Sequence, residues 1–159
     1  MINKYFLEEP NILDLSKEIF NAVVGENLKI KTRFELISKK IKDAETVNFI
    51  LADGLGYSNL QSTDSFLNKH INNVVNTTFP SSTNVALTTI AMQANPIDHG
   101  VFSYYMYDKL KYGLINALNW NSENKNLLLS EYFNNQSSIW SVFKENNIYA
   151  SNFQPKNLI

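Results

Sequence analysis

Apolar residues first recur at helical spacing at Ile12, Leu15, Ile19, Ala22 and Val23, and Gly25 stands where a helix would stop, so the pattern predicts an amphipathic helix over 12–24. Thr32 followed by Glu35 is a capping-box pattern, and Phe34, Ile37 and Ile41 give a second helix one apolar face. The periodicity then changes. The run "VNFILAD", Val47 to Asp53, is apolar on both alternating faces except at Asn48, which predicts a central strand covered by helices on both sides and ending in a carboxylate. A tight turn and short helix are expected over 54–61, another helix over 63–71, and a second strand in "NNVVNTTF". Leu87, Ile90, Ala91 and Ala94 share one helical face and predict a helix after the hydroxyl-rich "TTFPSST". The aromatic-rich "VFSYYMYDKLKYGLINALNW" reads as extended, hairpin-like structure. A further helix over 137–146, with Ile139, Val142 and Phe143 inward, leads to a short strand "IYAS".

Helices alternating with short apolar strands indicate an α/β fold with a mostly parallel sheet flanked by helices. In such sheets ligands gather at the carboxyl ends of the strands, where Asp53 and the cluster Thr77 to Thr83 both fall.

Composition narrows the classes. The 159 residues are 44% hydrophobic and 18% charged, which suits one folded domain and argues against disorder. A net charge of -1 gives no global reason to expect a nucleic-acid polymer or an anionic membrane as partner. Lys29, Lys31, Arg33, Lys39, Lys40 and Lys42 cluster, but Glu35 and Asp43 interrupt them, as on a solvated face. Without cysteine the chain has neither a disulfide nor a thiolate metal site. The first twenty residues place acidic side chains where a signal peptide needs its apolar core, and no later segment approaches a membrane span, so a soluble cytoplasmic protein is expected.

Two positions carry candidate chemistry. Asp53 closes an apolar run and precedes "GLG", whose glycines allow a sharp turn and close ligand approach; its carboxylate suits a divalent metal, or equally the capping of the next helix. The stretch "GLGYSN" lacks the third glycine of a dinucleotide fingerprint. Thr83 stands at the start of a predicted helix, where its hydroxyl and the first-turn N–H groups converge. It reads either as a cap or as a nucleophile, and a nucleophilic hydroxyl needs a metal or a base to activate it. His70 lies in a polar helix pattern and is expected at the surface, whereas His99 in "PIDHG" suits a structural hydrogen bond or metal ligation. No pair of histidines has metal-ligand spacing.

Taken in order, "VNFILADGLGYSNL", "TTFPSSTNVALTTIAMQANPIDHGV", "NALNW" and "SSIWSVFKENNIYASNFQP" resemble the alkaline phosphatase superfamily, in its type I phosphodiesterase/nucleotide pyrophosphatase branch. The resemblance covers most of residues 45–159 and implies the N-terminal part of that catalytic domain, an incomplete alkaline-phosphatase-like sheet, with residues 1–44 as a helical lead-in. It implies that Asp53 is a metal ligand, that Thr83 is both nucleophile and metal ligand, and that two zinc ions serve the complete enzyme. The implied reaction is hydrolysis of a small-molecule phosphate ester through a phosphothreonine intermediate. Where the family usually shows Thr-Gly this chain has Met92 and Gln93, and Tyr104 stands near the place of a phosphate-binding Asn. The family's remaining Asp and His ligands come from later segments, and after His99 the only acidic residues are Asp108, Glu123, Glu131 and Glu145, none in a matching motif. The expectation is therefore an impaired enzyme or, alternatively, an inactive remnant or binding module whose uncovered apolar surface favours self-association.

Overall fold

The computed structural model describes residues 10–25, 34–124, 127–133 and 136–153. Helix α1 (Ile12–Val23) starts at a reciprocal cap: Asn11 Oδ1 accepts from the N–H groups of Leu13 and Asp14 at 2.8 and 3.2 Å, and Asp14 Oδ2 accepts from Asn11 N–H at 2.9 Å. Helix α2 (Glu35–Lys42) follows the buried Phe34; Thr32, expected to cap it, lies outside the described residues. Two short helices, α3 (Tyr57–Gln61) and α4 (Phe66–Lys69), lead to α5 (Thr83–Met92) and the single turn α6 (Pro96–His99).

The aromatic-rich stretch folds as expected into an antiparallel hairpin, extended to a meander of β1 (Tyr105–Asp108), β2 (Gly113–Asn116) and β3 (Asn121–Ser122) in that spatial order. Tyr105 faces Asn116 and Asp108 faces Gly113, while Ile115 faces Ser122. Asp108 Oδ1 closes the hairpin turn by accepting from Leu110 N–H and Lys111 N–H at 2.8 and 3.0 Å. Gly113 is required at the start of β2, since its φ is +67° and a Cβ there would stand 2.6 Å from the Asn124 amide nitrogen. Helices α7 (Leu129–Tyr132) and α8 (Ile139–Glu145) follow. Beside the meander, Lys111 pairs with Glu131 and its pKa is pushed up to about 12, chiefly by that hydrogen bond.

Two apolar clusters flank α5. On one side Ile90 packs with Phe20 of α1 and with Ile139 and Phe143 of α8, supported by Ile12, Ile19 and Val23. On the other, Val85 packs with Val101 and Ala117, supported by Met106, Trp120, Tyr132 and Phe133. A helix covered on two sides has no single apolar stripe, which explains why Leu87, expected inward, is 38% exposed while Thr88 and Thr89 are buried. The helix ends on Gln93 in the left-handed region (φ 51°), where its side chain amide donates to Ser16 Oγ and to the Ile90 carbonyl.

The mostly parallel, alkaline-phosphatase-like sheet does not form. Among the described residues the only ladders are the antiparallel ones of the meander, and parallel pairing is limited to one bridge between Asn11 and Asn76. The run Val47 to Asp53 takes no strand pairing, and Ile50 and Leu51 are 86% and 44% exposed. A central parallel strand needs hydrogen-bonded neighbours on both edges and apolar cover on both faces. Here the cover reaches the run through the contact of Phe49 with Phe20, with ring centroids 5.5 Å apart. The stretch "IYAS" likewise forms no strand, and Tyr149 is exposed.

Candidate functional site

The start of α5 is built unusually. Ser82 holds the N-cap position with extended backbone, yet its side chain makes no capping bond; its hydroxyl instead donates to Asn84 Oδ1 at 2.8 Å. Backbone pairing inside the helix begins with Ala86 N–H to the Ser82 carbonyl at 3.0 Å. Thr83 is therefore the first helical residue, and the N–H groups of this first turn have no partner within the helix. Its hydroxyl donates to Asp53 Oδ2 at 3.0 Å, across 30 residues of sequence. The chain turns away directly after Asp53 at Gly54, whose φ of +74° favours glycine.

These groups open onto a cavity of about 240 Å³ lined by Asp53, Thr77, Ser81, Ser82, Thr83, Ala86 and Tyr104. Among the described residues the lining holds one carboxylate, several hydroxyls and no cationic side chain. An anionic ligand entering it approaches the positive end of the α5 dipole at Thr83, and needs an added cation to offset Asp53.

Both histidines are accounted for by the fold. His99 is 3% exposed; Val101 N–H donates to its Nδ1 at 3.1 Å, so the ring proton sits on Nε2, which donates to Thr89 Oγ1 at 3.0 Å. Burial pushes this imidazole below its ordinary value of 6.5, against the opposing charge of Asp98 and a backbone hydrogen bond. His70 is exposed and stacks on Phe66 with centroids 4.1 Å apart.

Among the described residues no three His, Cys, Asp or Glu side chains stand together as a metal-binding group. Asp53 and Thr83 still offer two oxygen donors side by side, a set that suits one hard divalent cation completed by water and by ligand phosphate oxygens. A pair of zinc ions would require donors beyond the described lining.

The structure thus brings together the two residues singled out in the sequence, Asp53 and Thr83, although no sheet does so. Sequence reasoning missed Asn84, which is 4% exposed, because an amide in a helix pattern reads as a surface residue and its partner at Ser103 is distant in sequence. No family model, curated protein or solved structure matches this chain.

Proposed function

We propose that the cleft between Asp53 and the start of α5 is a phosphoryl-transfer site, in which Thr83 attacks a small phosphate ester. The observation that carries this reading is the Thr83 hydroxyl donating to the Asp53 carboxylate at 3.0 Å at the mouth of an uncapped helix. The carboxylate orients the nucleophile and accepts its proton as Oγ1 bonds to phosphorus. The phosphorus–oxygen bond to the leaving group breaks, and the departing alkoxide takes up a proton to leave as an alcohol. Water then displaces threonine from the phosphothreonine, returning the hydroxyl and releasing the phosphate product. The positive end of the α5 dipole, at Thr83, favours the charge of the phosphoryl oxygens. Asp53 and Thr83 would hold a divalent cation, which would supply positive charge to offset that of the phosphoryl group. With a single carboxylate in the cleft, turnover is expected to be slow, so the test looks for the intermediate.

Protein incubated with bis(p-nitrophenyl) phosphate and manganese is acid-quenched and its phosphoryl adduct mapped by mass spectrometry. The adduct is expected on Thr83, absent in Thr83→Ala and reduced on the order of a hundredfold in Asp53→Asn. An adduct on another residue, or none at all, rejects the reading. A non-catalytic binding module of the same fold is a second reading, favoured by the exposed apolar residues of the Val47 to Leu51 run.

A further inference from the structure

The strap Gly100 to Tyr104 supplies Tyr104 to the lining of the cleft. Three of its ties lead away from α5's first turn: the Tyr132 hydroxyl donates to the Gly100 carbonyl at 3.1 Å, Val101 N–H donates to His99, and Ala117 N–H donates to the Tyr104 carbonyl at 2.8 Å. One tie leads directly to it. The Asn84 side-chain amide, itself buried, donates to the Ser103 carbonyl at 2.6 Å and accepts from the Ser82 hydroxyl at 2.8 Å. The residue after the nucleophile therefore bridges the residue before the nucleophile to the residue before Tyr104.

We infer that Asn84 is a positioning residue, which fixes the Tyr104 wall of the cleft relative to the Thr83 hydroxyl and so sets how a tetrahedral phosphoryl group fits between them. This rests on the reading of the cleft as a phosphoryl site. The two arms of the amide are separable. Asn84→Asp keeps an acceptor for Ser82 but turns the donor facing the Ser103 carbonyl into a second acceptor and adds a negative charge, so loss of the strap arm is read from the Tyr104 resonance and not from anion affinity alone. Ser82→Ala removes only the other arm.

The test uses fluorotyrosine-labelled protein, with the Tyr104 fluorine resonance assigned by its loss in Tyr104→Phe, and orthovanadate with magnesium as the phosphoryl probe. Asn84→Asp is expected to shift or broaden the Tyr104 resonance while other tyrosine resonances hold, and to raise the vanadate half-saturation about tenfold. Thr83→Ala leaves the free-protein Tyr104 resonance in place, because Thr83 does not touch the strap tie. Should Asn84→Asp fail to fold, Ser82→Ala is expected to move the same resonance in the same direction by a smaller amount. An unchanged Tyr104 resonance in the folded variant overturns the inference. If vanadate leaves the wild-type spectrum unaltered while Asn84→Asp still moves Tyr104, the phosphoryl reading has failed and the mechanical coupling stands.

Discussion

At the scale of single residues, the buried polar pair at the centre of the protein is explained by its partners. Thr89 is fully buried in the middle of α5 because its oxygen accepts from His99 Nε2, and His99 is tolerated in the interior because both its nitrogens are engaged. Thr89→Val keeps the shape and removes the acceptor, leaving a buried N–H unsatisfied; a loss of about 1–3 kcal/mol is expected in urea denaturation. The same histidine gives stability a pH dependence. Its folded value lies below the ordinary 6.5, so the unfolded chain binds the proton first as pH falls. That contribution is complete above about pH 6.5 and is lost as pH drops through the folded value. Urea midpoints measured at about pH 7.5 and about pH 5.5 should fall with acidification, and the fall should shrink in His99→Gln.

At the scale of elements, what holds each piece decides how legible it was. Helix α1 depends on its reciprocal cap, so Asn11→Ala is expected to cost about 1 kcal/mol, read as a lowered thermal midpoint with far-UV circular dichroism otherwise intact. This helix, α8 and the hairpin could be read from sequence because their signals are local: a repeating face that carries Ile12, Ile19 and Val23 in α1 and Ile139 and Phe143 in α8, and an extended aromatic-rich run for the hairpin. The run Val47 to Asp53 could not, because unbroken apolar character reports a demand for cover while the cover itself must come from distant residues. Position was legible where architecture was not. The sequence pattern puts both Asp53 and Thr83 at the carboxyl ends of strands in a parallel sheet, and they meet through a turn and a helix start in place of that sheet. Asn84 was invisible for the same reason as the missing strands, since its partner at Ser103 is 19 residues away.

At the scale of the whole molecule, the protein carries uncovered apolar surface beside a well-buried centre. Ile50, Leu51 and Val74 are exposed on extended segments, the arrangement that promotes association through edges and apolar patches. Sedimentation velocity at rising concentration should show self-association, and Ile50→Lys should reduce it without altering the thermal midpoint; a monomer at all concentrations would refute this. Among the described residues no helix is long and apolar enough to cross a membrane. The placing of α5 between the two cores has a final consequence for the cleft. Thr83 rides on the element that both clusters share, where amide hydrogen exchange should be slowest, whereas Asp53 rides on a segment with little packing to resist opening. The pair is thus an anchored hydroxyl and a tethered carboxylate, and their meeting is governed by the effective concentration of Asp53 at a fixed point, which any ligand bridging the two would raise.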